Sequence, residues 1–151
     1  MSKFKVCLDP GHGGTDRSNR GPTGYNEADG NLKMAIMVAE YLERYPDIGI
    51  IWTRLYANET VSLAERCRIA NEADADAFVS IHSNAAADPA VRGTETYHSV
   101  KSLPGRGGAL LAALAHANVI NLLQTENRGL RTRANDEGGD YYAVIRDTKM
   151  P

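Results

Sequence analysis

Three short apolar runs, Val6-Cys7-Leu8, Ile48-Gly49-Ile50-Ile51-Trp52-Thr53 and Ala77-Phe78-Val79-Ser80-Ile81, alternate with stretches of helical periodicity, and this alternation constrains the fold more than any other feature. Near-continuous runs rich in β-branched residues suit strands covered on both faces. Between the first two, Leu32, Ala35, Ile36, Ala39 and Leu42 recur at helical spacing. Asn26 is the expected cap of that helix, Glu27 and Asp29 suit the positive end of its dipole, and Pro46 ends it just after Tyr45. Between the second and third runs, Ser62-Leu63-Ala64-Glu65 reads as a capping box, with Leu63, Cys67 and Ala70 as the buried stripe. Strand, helix, strand, helix, strand predicts an α/β fold: a single domain over residues 1–151, with a mostly parallel twisted sheet and helices on both faces.

The later chain is less regular. Residues 18–26 have the composition of a loop, and residues 93–100 alternate like a strand nearer an edge, with Glu95 and His98 on opposite sides and His98 at a surface or groove. A third helix is expected over 108–123, with Leu110, Leu111, Leu114, Ala117 and Leu122 as its apolar content and His116 on its surface. Asn127-Arg128-Gly129 reads as a helix stop and 131–140 as a loop, in which Arg128, Arg131 and Arg133 either face solvent or grip a carboxylate. Tyr141-Tyr142-Ala143-Val144-Ile145-Arg146 reads as a last strand.

The chemistry concentrates where strands stop. The first run ends in Asp9-Pro10-Gly11-His12-Gly13-Gly14, where Pro10 cannot continue a central strand and the glycines can take backbone angles that other residues avoid. The third ends directly in His82. If the two strands are parallel, both imidazoles lie at carboxyl ends on one edge, where open α/β sheets bind ligands. Glu27, at the amino end of the helix that follows the first strand, reaches the same edge. Two imidazoles and one carboxylate form the ligand set of hydrolytic zinc sites, which keep a fourth position for water.

Composition narrows the partners. The 151 residues are 42% hydrophobic and 24% charged, which suits one domain with one core. A formal net charge of -2 gives no overall positive field to hold nucleic acid. Cys7 and Cys67 have no metal-site spacing and are expected as buried thiols. No stretch approaches the ~20 apolar residues of a membrane span. Met1-Ser2-Lys3-Phe4-Lys5 runs straight into the first strand with no secretory leader, so the product is expected to stay in the cytoplasm, where it is made, until another agent releases it. The Gly11 to Gly14 turn lacks the P-loop lysine and the dinucleotide spacing, which weakens a nucleotide-binding reading.

Leu8-Asp9-Pro10-Gly11-His12-Gly13-Gly14, Glu27 ahead of Asn31-Leu32, Thr53-Arg54, Leu63 with Arg66 and Ala70-Asn71, Ser80-Ile81-His82-Ser83-Asn84, and Val144-Ile145-Arg146 before Met150-Pro151 together resemble the zinc-dependent N-acetylmuramoyl-L-alanine amidases of the type 3 family, over essentially the whole chain. The resemblance implies a cell-wall hydrolase, a phage lysin, a lysis enzyme or a domain of a secreted protein, that acts on peptidoglycan and cuts the amide between N-acetylmuramic acid and L-alanine. It places one zinc ion on His12, Glu27 and His82, suggests Asp9 as the group orienting His12, and leaves Asn84 and Arg131 as candidates for holding the muropeptide. In the family a second glutamate, serving as general base, follows the Met-Pro pair, with a further strand and helix. The sequence ends at Pro151, so the resemblance implies a catalytic domain incomplete at its carboxyl end, with Glu95, Glu126 and Glu137 as possible substitutes. The alternative it leaves is a zinc-containing peptidoglycan-binding module with little or no activity.

Overall fold

The computed structural model describes residues 3–17 and 19–151; Met1, Ser2 and Ser18, and with them the first residues of the expected amino-terminal run and loop, lie outside the described residues. The chain gathers into two compact units, one reaching to Ala85 and including Thr148–Met150, the other formed by Ala86–Asp147 with Pro151.

In the first unit, strands β1 (Phe4–Pro10), β2 (Ile48–Trp52) and β3 (Ala77–Ile81) form a parallel sheet in the order β2-β1-β3, joined by helices α1 (Glu27–Leu42) and α2 (Leu63–Glu72). The alternation of β1 divides the core. Val6 and Leu8 pack with Ala39 of α1, whereas Cys7, facing the other way, packs with Ala70 of α2, Ala75 and Met150. Helices therefore cover both faces of this sheet, as the near-continuous apolar strands require. Both cysteines are buried free thiols.

Ser62 caps α2 by accepting a hydrogen bond from the Glu65 amide at 3.2 Å. Asn26 holds the N-cap position of α1 with an extended backbone but makes no capping bond; its amide donates to the Arg17 carbonyl oxygen. Leu63 is exposed, and Arg66 takes its place on the buried stripe of α2 beside Cys67 and Ala70.

The second unit holds β4 (Thr94–Tyr97), α3 (Gly107–Leu123), β5 (Asn127–Arg131) and the one-turn α4 (Ala143–Arg146). The expected helix stop at 127–129 is instead the start of β5, which runs parallel to β4 with an irregularity between Thr94 and Glu95; α3 has already ended at Gln124 in the left-handed region. The strand expected over 141–146 is also corrected: Ala143–Arg146 is a helical turn. The amides of Ile145 and Arg146 donate to the Tyr142 carbonyl oxygen, and the Tyr142 ring packs edge-on against Tyr97. Periodicity cannot separate strand from helix in so short an apolar run. His116 is a third correction, because it is buried and hydrogen-bonded to Thr96 Oγ1 at 3.0 Å and Asn127 Oδ1 at 2.8 Å. The helix buries its small residues Ala109 and Ala112 with His116, and leaves Leu110, Leu114 and Leu122 exposed.

Candidate metal centre

Parallel pairing brings the two histidines together. The Gly11 amide donates to the Ile81 carbonyl oxygen at 3.0 Å, which locks the carboxyl end of β1 to that of β3, so that His12 and His82 leave adjacent strands side by side. Their rings meet edge to face with centroids 4.9 Å apart. Glu27, the first residue of α1, comes in beneath them and is 4% exposed. Its Oε1 lies 3.4 Å from His12 Nε2 and 3.0 Å from His82 Nδ1. One ligand atom from each of the three residues falls within 4.8 Å of the others. Ligand bonds of 2.0–2.2 Å in a tetrahedron give edges of about 3.3 Å, so this donor set fits a zinc ion.

The turn reaches this geometry under local constraint. His12 sits at φ 60, a left-handed value that non-glycine residues seldom adopt, and Gly13 and Gly14 are also at positive φ. Gly11 is not, and it is needed for space: a Cβ there would stand 2.2 Å from Cε1 of His82.

Hydrogen bonds fix the charge of Glu27. Burial raises its pKa, but bonds from the Asn19 amide (2.9 Å), the Ser83 backbone N–H (2.9 Å), His82 and Asn31 outweigh that effect and hold it below the usual carboxylate value. A buried carboxylate kept ionised this way is ready to bind a cation.

Asp9 does not supply the group on His12. Its oxygens accept from Thr53 Oγ1 (2.6 Å), Ser80 Oγ (2.6 Å) and the Arg66 guanidinium, all within the sheet edge. The carboxylate on His12 Nδ1 is that of Asp16, at 2.8 Å, four residues further along the turn. An acidic residue four positions after the histidine was the available sequence signal. Arg54 and Arg66, both buried, donate to the carbonyl oxygens of Pro10, Gly11 and His12.

Asn84 is exposed on the loop two residues beyond His82. Arg131 lies in β5 and pairs through Nε with Glu95 at 3.1 Å, as Arg128 does, so the Glu95 carboxylate is tied to two guanidiniums. Glu126 and Glu137 are exposed. Arg133 stacks on Tyr141, 3.6 Å from the ring centroid.

The family described as N-acetylmuramoyl-L-alanine amidase matches residues 6–151. The chain belongs to this amidase family. Among curated relatives it is 31% identical to the N-acetylmuramoyl-L-alanine amidase CwlM of Bacillus licheniformis, over 97% of this chain and 53% of that protein. It is 34% identical to the endolysin of Bacillus phage SPP1, over 100% of this chain and 52% of that protein. The amidase-family chain thus spans about half the length of these relatives. Among solved structures it resembles an N-acetylmuramoyl-L-alanine amidase from Clostridium difficile 630, with a TM-score of 0.87 at 29% identity, covering 100% of this chain and 77% of that one. Cwp6 from Clostridium difficile gives a TM-score of 0.91 at 34% identity, covering 100% of this chain and 23% of that one. These matches carry the α/β fold of the amidase family. Among the described residues no helix is long and apolar enough to cross a membrane.

Proposed function

We propose that residues 1–151 belong to the catalytic domain of a zinc-dependent amidase that acts on the cell wall and hydrolyses the amide between the lactyl group of N-acetylmuramic acid and the L-alanine of the stem peptide. The observation that carries this reading is the convergence of His12, Glu27 and His82 in a chain of the amidase family. His12, Glu27 and His82 would hold the zinc, which would supply a Lewis acid for the amide carbonyl and lower the pKa of water toward ~7. Asp16 accepts the Nδ1–H of His12 and so leaves the Nε2 lone pair directed at Glu27 and the centre. Asn19, Asn31 and the Ser83 amide keep Glu27 ionised and fix its rotamer. Asn84, two residues beyond His82, is assigned to the muropeptide.

Metal analysis and peptidoglycan digestion test the proposal together. The expected result is about one zinc per chain and release of L-alanine amino termini, both lost in His12→Ala. Zinc-free protein, or a His12→Ala variant that keeps its zinc, overturns the site. Retention on sacculi without new amino termini assigns the chain a binding role instead.

A further inference from the structure

His12 and Glu27 reach the centre from different elements, the turn after β1 and the first turn of α1, and one buried side chain ties those elements to each other. Arg54 is 2% exposed. Its Nε donates to the Pro10 carbonyl oxygen at 2.8 Å, and its Nη2 donates both to Gly11 at 3.0 Å and to Ala28 at 2.7 Å. Pro10 and Gly11 lead directly into His12, and Ala28 follows Glu27. The Asn31 amide makes a second link, to the Gly11 carbonyl oxygen at 3.3 Å and to Glu27 at 3.4 Å, with longer bonds.

We propose that Arg54 is a positioning residue of the metal centre, whose guanidinium sets the separation of His12 and Glu27 by gathering the carbonyl oxygens of Pro10, Gly11 and Ala28 around one rigid plane. The proposal rests on the reading of His12, Glu27 and His82 as metal ligands. Two physical arguments support it. A buried cation is a costly way to fill space, and apolar residues of similar volume often serve stability as well or better. Here Arg66 pairs with the buried Asp9 carboxylate, whereas Arg54 donates to the carbonyl oxygens of the turn, of Tyr56 and of α1. A guanidinium also presents its five N–H donors in a fixed fork, whereas a lysine ammonium is a point charge on a flexible stem. Holding His12 at φ 60 calls for the first kind of group.

The experiment uses the full chain with Arg54→Lys, Arg54→Gln and, as a control for general loosening, Ala39→Gly in the buried face of α1. Zinc affinity is measured by competition with a chromophoric chelator, ligand geometry by the visible absorption of the cobalt(II) form, and folding by circular dichroism. Both Arg54 variants are expected to fold, to bind zinc about 10- to 100-fold more weakly and to show an altered cobalt spectrum, while Ala39→Gly keeps the wild-type affinity and spectrum. A folded Arg54→Lys with wild-type affinity and spectrum overturns the proposal. So does an equal loss in Ala39→Gly, or failure of both Arg54 variants to fold, since each makes Arg54 a general stabiliser. Wild-type protein that binds no zinc instead removes the metal reading itself, and this proposal with it.

Discussion

At residue scale, the tightest constraint in the centre is the contact between Gly11 and the ring of His82. Gly11→Ala places a methyl group 2.2 Å from Cε1, and the ring has to move because the backbone of Gly11 is held by Arg54, Asn31 and the Ile81 carbonyl oxygen. The variant is expected to fold and to lose zinc affinity by about tenfold or more, read by chelator competition; unchanged affinity would show that the imidazole has room. Cys7 makes a separate prediction. Burial, aided by the negative charge of Asp9, pushes its thiol up to about 12. In the unfolded chain the thiol ionises near 8.5, so its contribution to stability is intact below that pH and is lost as pH rises from there toward 12. The loss is about 1.4 kcal/mol per pH unit. Urea midpoints followed from pH 7 to 10.5 should fall more steeply for wild type than for Cys7→Ala, and parallel slopes would refute the assignment.

At element scale, β1 serves both the core and the site. Val6 and Leu8 face α1 and Cys7 faces α2, while Asp9 and Pro10 end the strand in a buried polar group that includes Thr53, Arg66 and Ser80. Asp9→Asn keeps the shape but leaves the Arg66 guanidinium buried without its counter-ion, and breaking such a pair costs about 3–5 kcal/mol. Denaturant unfolding of the zinc-free protein should show a loss of that size. The cap of α2 is worth less: Ser62→Ala removes one side-chain acceptor at the helix start and is expected to cost about 1 kcal/mol. The same measurement ranks the two, and a cap variant as damaging as Asp9→Asn would contradict the ranking.

At the scale of the whole molecule, the proposed metal site predicts a link between metal binding and stability. The three proposed ligands come from the β1 turn, the start of α1 and the end of β3, which are held together only in the folded chain. Zinc at 100 times its dissociation constant therefore adds about 2.7 kcal/mol, which for a chain of this size raises Tm by about 5–10 °C. Thermal scans with zinc and then with excess chelator should show the rise and its reversal, and His82→Ala should show neither. A wild-type Tm indifferent to the chelator would remove the metal from the folded state.

The features legible in the sequence are those set by neighbouring residues. Alternating apolar runs gave the strands, the Ser62 to Glu65 spacing gave a cap that forms, and Pro10-Gly11 gave the end of β1. Because βαβ crossovers impose parallel pairing, these local signals sufficed to bring His12, Glu27 and His82 to one edge. What they left open depends on partners far away in the chain. Whether 141–146 extends or coils, which face of α3 is covered, and whether 127–131 pairs as a strand are decided by β4 and by the Tyr97 to Tyr142 contact. Likewise, nothing around Arg54 announces that it will bond to carbonyl groups 26 to 44 residues earlier in the chain. Short-range sterics and capping are written in adjacent residues, whereas the pairing of buried polar groups exists only once the chain has closed on itself.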